Sequence, residues 1–181
     1  RSHFGSSVAG QLCNPIVLCC PCCWRWAASI DGAMAFTIPD EFGYCVGAVG
    51  LSWFMNFFLS IRVMQARKEY GVDYPALYAD SRNEHHTEFN SVQRAHQNTL
   101  EGWAPVSILC LVNGLVFPRI SACFYGVWVV GRIIYGVGYG RGGPDGRRVG
   151  ALLSHVGDLP LIIMAFISAY RMFAGKLHMV L

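Results

Sequence analysis

The chain has 181 residues, of which 54% are hydrophobic and only 14% are charged, whereas about 25% are charged in an ordinary soluble domain. A mean hydropathy of +0.37 excludes an intrinsically disordered protein. The formal net charge of +3, without any basic run, gives no indication of a nucleic-acid partner. The composition therefore predicts a membrane protein.

Residues 1–33 differ in character from the rest of the chain. The sequence begins with Arg1, and five of its eight cysteines lie within the first 23 residues. This cluster lacks the second ligand pair of a zinc site, and prolines interrupt it. Met34 opens a short segment before a long apolar run. We therefore expect Met34 to be the initiator, 1–33 to be a non-native or disordered extension, and 34–181 to be one membrane domain.

Four mainly apolar segments are long enough to be membrane-spanning helices, since about 20 residues cross a hydrocarbon core of about 30 Å. Pro118 is expected to end the second segment, and a loop rich in glycine and arginine follows the third at 140–148. The expected spans are about 42–65, 91–117, 120–140 and 152–173. The pattern predicts an all-α integral membrane four-helix bundle.

Lysine and arginine are distributed unequally between the two sides of this bundle. The loops after the first and third spans hold Arg67, Lys68, Arg82, Arg141, Arg147 and Arg148. The opposite side holds only Arg119, Arg171 and Lys176. Because basic residues concentrate in cytoplasmic loops, the first and third loops are predicted to face the cytosol.

Two of the expected spans each place three polar side chains on one helix face, at spacings of three or four residues. These are Arg94, Asn98 and Glu101 on the second span, and Arg132, Tyr135 and Tyr139 on the third. Ionisable groups within a bilayer are costly, so they pair with one another or line a hydrated site. Two interpretations are open: an ion network of Arg94, Glu101 and Arg132 that ties the helices together, or a pocket for a small zwitterionic ligand.

Other polar motifs have simpler explanations. His85 and His86 are adjacent and cannot form a metal cage by themselves, which favours a solvated loop. His155 and Asp158 are three residues apart, which favours a local hydrogen bond over a proton relay. The glycines at 140–143 lack the Lys-Ser/Thr pair of a phosphate-binding loop. We therefore expect no metal site.

Residues 94–101 read Arg-Ala-His-Gln-Asn-Thr-Leu-Glu, the most specific motif in the chain. With the preceding residues from 89 onward, it resembles the second-helix signature of the family of membrane-associated proteins in eicosanoid and glutathione metabolism. The match is closest in the microsomal glutathione transferase branch. Residues 65–75 and 131–139 are similar to the first and third helices of that branch. The resemblance covers about residues 34–175.

The resemblance implies a homotrimer that binds glutathione, as a co-substrate, between neighbouring subunits. The implied glutathione-binding residues are Arg67, Arg94, His96, Asn98, Glu101, Tyr135 and Tyr139, with Arg67 and His96 contributed by the adjoining subunit. Their chemistry suits this ligand, because arginines bind carboxylates in forked geometry. Glu101 can pair with the glutathione ammonium group.

Catalysis in this family requires a thiolate. A free thiol has a pKa of about 8.5 and is only a few per cent ionised at pH 7. In the family, an arginine just beyond the second tyrosine stabilises the thiolate. A loop one residue longer than in the leukotriene-C synthase branch makes Arg147 the implied catalytic residue, with Arg148 as its rival. The sequence departs from that branch at Gly102, which replaces a tyrosine, and at Lys68, which replaces an arginine.

The implied activity is conjugation of glutathione to lipophilic electrophiles, as in leukotriene-C synthase, together with reduction of lipid hydroperoxides. The implied location is the endoplasmic reticulum or the mitochondrial outer membrane, with the active site toward the cytosol. The alternatives are a non-catalytic lipid-binding scaffold of the same family and a membrane channel or carrier. Retention of the charged residues and both tyrosines favours the enzyme, whereas a channel predicts ion flux without glutathione affinity.

Overall fold

A computed structural model describes residues 38–174 of the chain. Over these residues the chain forms a short 3₁₀ turn at Asp40–Phe42 and four long α-helices, without a β-strand. The helices are α1 (Gly43–Tyr70), α2 (His86–Gly114), α3 (Pro118–Gly146) and α4 (Arg148–Phe173). The expected all-α bundle is confirmed, while the expected extension at 1–33 lies outside the described residues.

Three helical segments of the described chain are long and apolar enough to cross a membrane: Asp40–Tyr70, Pro118–Gly146 and Arg148–Arg171. α2 has 29 residues and is about 43 Å long at 1.5 Å per residue. Its first half, however, carries the polar residues between 93 and 101. The expected second span at 91–117 is therefore not among these three segments, although α2 packs within the same bundle.

The end of α1 lies beyond the expected apolar segment. The helix continues to Tyr70, because a helix can extend past its apolar window into the more polar region at the membrane surface. Gly71 follows with φ 64° and ψ 41°, a left-handed conformation that favours glycine. The Val72 N–H donates to the carbonyl of Arg67 at 3.0 Å, which closes the helix end.

Two features around α3 correct the sequence-based expectations. Pro118 begins α3 and does not end α2, which has already ended at Gly114. Proline is favoured in the first helical turn because its missing N–H has no partner there. The expected loop at 140–148 is largely helical, and the chain departs from helical geometry only at Gly142 and Gly143, where φ is −120° and 60°.

Helices α3 and α4 pack against each other more closely than any other pair. A Cβ atom on Gly150 would lie 2.1 Å from the backbone nitrogen of Tyr135, and one on Gly157 would lie 2.6 Å from that of Trp128. Any larger residue would therefore force the helices apart. This close approach fixes the backbone of α3 behind Tyr135.

The main apolar core occupies the half of the bundle that contains the start of α1 and the end of α2. We call this half the core half. It is built around Cys45, Met55, Leu59, Val106, Cys110, Tyr125, Trp128 and Leu161. The opposite half, toward the end of α1 and the start of α2, contains most of the predicted site residues, and we call it the polar half.

Aromatic side chains on α1 face away from the bundle. Trp53, Phe54 and Phe57 are each about half exposed in the single chain. Trp53 and Phe57 stack with their ring centroids 5.1 Å apart. Such a surface suits contact with lipid or with another subunit.

Candidate functional site

Arg94 and Glu101 form an ion pair on one face of α2. Arg94 Nη1 lies 3.8 Å from Glu101 Oε1, and the two side chains are 47% and 52% exposed in the single chain. Because both residues belong to α2, their ion pair does not connect two helices. In the network of Arg94, Glu101 and Arg132, any link between helices therefore depends on Arg132, and Arg94 and Glu101 are both accessible from outside the chain.

Arg132 connects α2 and α3 within the polar half. Its Nη2 donates a hydrogen bond to Asn98 Oδ1 at 2.7 Å. Its guanidinium carbon also lies 4.5 Å from the centroid of the Tyr135 ring. Arg132 is buried, so it contacts two of the predicted site residues from inside the bundle.

The two predicted tyrosines lie together, and Arg147 contacts both. The rings of Tyr135 and Tyr139 meet edge to face with centroids 5.7 Å apart, and Ala95 of α2 packs against them. Arg147 Nη1 donates to the Tyr135 hydroxyl at 3.4 Å, and its guanidinium carbon lies 5.0 Å from the Tyr139 centroid. The hydrogen bond to Tyr135 raises the pKa of Arg147 above its ordinary value, so this side chain remains a cation.

Arg148 has a different environment from its neighbour. Its Nη2 donates to Asp145 Oδ1 at 2.5 Å, and both side chains are largely exposed. Arg147 therefore contacts the tyrosines, whereas Arg148 pairs with an acid at the surface.

An open groove of about 440 Å³ lies between the α2 face and the end of α3. Its lining includes Tyr78, Asn90, Arg94 and Tyr139. The volume is within the range of about 300–1,000 Å³ that is usual for small-molecule sites. Arg94 and Tyr139 thus border the same space.

Tyr78 and Gln97 were not recognised from the sequence. Asn90 fixes the loop at 71–85 on α2, accepting from the Ala79 N–H at 2.8 Å and donating to the Ala79 carbonyl at 3.2 Å. The Tyr78 hydroxyl then donates to Gln97 Oε1. Gln97 could have been found, because it lies one turn after Arg94 on the same face, whereas the position of Tyr78 depends on the loop fold.

Arg67 and His96 lie apart from this group. Arg67 Nη1 donates to the carbonyls of Val72 and Ala76 at 3.3 and 2.9 Å, and His96 Nε2 lies 3.0 Å from Asn56 Oδ1. Among the hydrogen bonds and ion pairs of residues 38–174, none joins Arg67 or His96 to the other predicted site residues. A single chain thus brings together Arg94, Asn98, Glu101, Tyr135, Tyr139 and Arg147.

The remaining polar motifs form local contacts. His86 Nδ1 lies 2.9 Å from the carbonyl of Asn83, and His155 Nδ1 lies 3.3 Å from Asp158 Oδ1. Within the part of the chain that the structure describes, no three His, Cys, Asp or Glu side chains form a group that could hold a metal ion.

Comparison with known proteins adds family membership to this geometry. Residues 45–167 match the MAPEG family, which includes glutathione transferases and related proteins as well as non-catalytic members. The chain is also 32% identical, over 124 residues, to an uncharacterized protein of Synechocystis sp.; the match covers 65% of this chain and 82% of that relative. The matched residues include every predicted site residue. The chain belongs to the MAPEG family.

Proposed function

We propose that this protein is a glutathione-dependent membrane enzyme similar to microsomal glutathione S-transferase type 3. It conjugates glutathione to lipophilic electrophiles, in the manner of leukotriene-C synthase, and reduces lipid hydroperoxides. The observation that carries this proposal is the position of Arg147, whose guanidinium contacts both Tyr135 and Tyr139. Its neighbour Arg148 is occupied by Asp145, which favours Arg147 as the catalytic residue.

The charges of the site match those of glutathione, which carries two carboxylates and one ammonium group. Arg94 can bind a carboxylate and Glu101 the ammonium, and both are accessible in the single chain. Asn98 and the two tyrosines offer hydrogen bonds to the peptide backbone. We further propose that the protein acts as a homotrimer in which Arg67 and His96 complete the site of the adjoining subunit, since neither forms a hydrogen bond or ion pair with this group among residues 38–174.

A guanidinium beside a thiol stabilises the thiolate and lowers the thiol pKa. In conjugation, the thiolate sulfur bonds to an electrophilic carbon, and the displaced oxygen or leaving group takes the electron pair. In hydroperoxide reduction, the sulfur attacks the terminal oxygen, the O–O bond breaks, and the lipid alkoxide takes a proton to become an alcohol. A second glutathione then reduces the sulfenic acid, which yields glutathione disulfide and water.

The surroundings of the site suit lipophilic second substrates. The helices expose a broad apolar surface, so a lipid could approach from the bilayer, while glutathione would enter from the aqueous side near the 71–85 loop. By the distribution of lysine and arginine, that side is proposed to be the cytosol. The endoplasmic reticulum and the mitochondrial outer membrane are the proposed locations.

The proposal is tested on the purified full chain in lipid nanodiscs. Glutathione titration is expected to produce ultraviolet thiolate absorbance at neutral pH, and a thiol-free analogue of glutathione should compete without producing it. The rates of turnover of a lipophilic electrophile and of a lipid hydroperoxide should each saturate with glutathione concentration, over the same range as the thiolate absorbance. Binding of lipid without glutathione would instead identify a scaffold, and ion flux without glutathione affinity would identify a channel; either result would overturn the proposal.

A further inference from the structure

Arg132 is a buried cation. The proposed function gives it no part in binding glutathione or in activating the thiol. Its side chain is only 8% exposed, inside a helix that is long and apolar enough to span a membrane. Removing such a charge from water is costly. An apolar side chain could fill the same space without this cost. The contacts of the guanidinium therefore indicate what the charge does.

The first contact fixes the orientation of a candidate ligand-binding amide. Arg132 Nη2 donates to Asn98 Oδ1 at 2.7 Å. Arginine has donors and no acceptor, so only the oxygen end of the Asn98 amide can face Arg132. The Nδ2 group must then point away from Arg132. Asn98 is partly exposed, and among the described residues its Nδ2 has no hydrogen-bond partner, so it is available as a donor.

The second contact fixes an aromatic ring on the neighbouring helix. The Arg132 guanidinium lies 4.5 Å from the centroid of the Tyr135 ring, while Arg147 approaches the Tyr135 hydroxyl. The two arginines thus hold different parts of one tyrosine. Arg132 touches the ring from within the bundle, and Arg147 touches the polar tip.

The backbone that carries Arg132 is held in place. A Cβ atom on Gly131 would lie 2.6 Å from the backbone nitrogen of Ser154, so α3 and α4 are in direct contact at this level. Arg132 is therefore anchored on a rigid helix pair and reaches across to α2. A group that must orient a ligand-binding side chain is best carried by such a rigid element.

We infer that Arg132 is a positioning residue, which holds the Asn98 amide with its Nδ2 donor directed to a carboxylate or carbonyl oxygen of glutathione and steadies the ring of Tyr135. This inference rests on the proposed function. In this assignment Arg132 acts on glutathione through Asn98 and Tyr135 and has no role at the thiol. Its loss should therefore weaken glutathione binding and leave the thiolate chemistry of bound glutathione largely intact.

The test is a double-mutant cycle on the full chain in nanodiscs, with the dissociation constant of glutathione as the readout. Arg132→Met should raise this constant about tenfold in the wild-type background, a usual size for a lost charge-assisted hydrogen bond. In an Asn98→Ala background the same change should have less than about a threefold effect, because its main target is gone. At saturating glutathione, kcat should change much less than KM.

Two further variants separate positioning from structural support. Asn98→Asp keeps an acceptor for Arg132 but removes the donor, so it should preserve the melting temperature and still weaken glutathione binding at least about tenfold. Asn113→Leu removes a fully buried hydrogen bond of the core half and should lower stability without changing glutathione affinity. If Arg132→Met does not fold, Arg132→Lys, which keeps the charge but not the planar fork, replaces it in the cycle.

Several outcomes would overturn the inference. Additive effects of the Arg132 and Asn98 changes would mean that Arg132 does not act through Asn98. A lowered melting temperature with unchanged glutathione affinity would make Arg132 a tie between helices only. If the wild-type protein itself bound no glutathione, the proposed function would fail first, and this inference with it.

Discussion

The two halves of the bundle use polar side chains in opposite ways. In the core half, Ser52 Oγ accepts from Trp103 Nε1 at 2.8 Å and from the Tyr125 hydroxyl at 2.9 Å. Asn113 Nδ2 donates to the carbonyl of Leu161 at 2.7 Å. These groups are neutral, and each has found a partner on another helix. In an apolar environment that arrangement stabilises the packing.

The polar half carries charges that its own chain does not fully use. Arg94 and Glu101 are about half exposed, and their ion pair has a long N–O distance of 3.8 Å. Arg147 makes a long hydrogen bond of 3.4 Å to Tyr135. Charged groups with open hydrogen-bonding capacity contribute little to stability but can bind a charged ligand. The neutral pairs of the core half therefore connect helices, whereas the polar half carries exposed charges that a ligand can reach.

The largest expected effect comes from Arg147, whose guanidinium contacts both Tyr135 and Tyr139. Arg147→Ala should lower kcat at pH 7 about a hundredfold, similar to the loss of one transition-state donor, with a smaller effect on glutathione binding. Raising the pH should restore part of the rate, because hydroxide then ionises the thiol. Steady-state kinetics from pH 6 to 9 measure this, and Arg148→Ala, which removes a surface ion pair, is the matched control.

The next effect concerns the ion pair on α2. Arg94→Ala or Glu101→Gln should weaken glutathione binding at least about thirtyfold, as expected when one partner of a ligand-binding charge pair is removed. The melting temperature should hardly change, because this pair does not connect helices. Isothermal titration calorimetry and thermal unfolding test both parts. A variant that unfolds in detergent, while its folded fraction binds glutathione normally, would contradict the assignment.

A substitution in the core half should have the opposite effect, with a loss of stability and no loss of glutathione affinity. Tyr125→Phe removes the hydrogen bonds of the hydroxyl with Ser52 and Ser107 but keeps the ring. It should reduce stability by about 1 kcal/mol, the size found for hydrogen bonds between membrane helices, and leave glutathione affinity unchanged. Reversible unfolding in mixed micelles provides the measurement. A loss of affinity without a loss of stability would show that the two halves are not separate in role.

The smallest expected effect tests the loop that reaches the polar half. Tyr78→Phe removes the hydrogen bond to Gln97. Because this hydrogen bond is exposed to solvent, its loss should weaken glutathione binding only about threefold. The Tyr170→Phe variant changes an exposed tyrosine near the end of α4, away from the 71–85 loop, and serves as the control. Equal effects of the two changes would mean that Tyr78 has no particular role in the site.

Much of the helical frame could be predicted from the sequence, because apolar segments and helical spacing are local properties. The spacing of Arg94, Asn98 and Glu101 predicted a shared face on α2. Helix ends were harder to predict, because hydropathy marks the apolar segment and not the end of the helix. The apolar segment of α1 was expected to end at residue 65, whereas the helix continues to Tyr70. Pro118 could equally end one helix or begin the next, and it does the latter.

The parts that the sequence did not predict depend on contacts between distant segments. Tyr78 reaches Gln97 only because Asn90 fixes the intervening loop on α2. The resemblance implied Arg147 and left Arg148 as a rival, and the different contacts of these two neighbours depend on how the chain turns between α3 and α4. Neither follows from periodicity or composition.

The most direct test of the account is a pH titration of the thiolate absorbance of bound glutathione in three proteins: the wild type, Arg147→Ala and Arg148→Ala. The wild-type midpoint should lie well below the value of about 8.5 for a free thiol, and Arg148→Ala should coincide with it. Arg147→Ala should move the midpoint up toward the free value. If Arg147→Ala matches the wild type, or if bound glutathione gives no thiolate absorbance at neutral pH, the assignment of Arg147 is wrong.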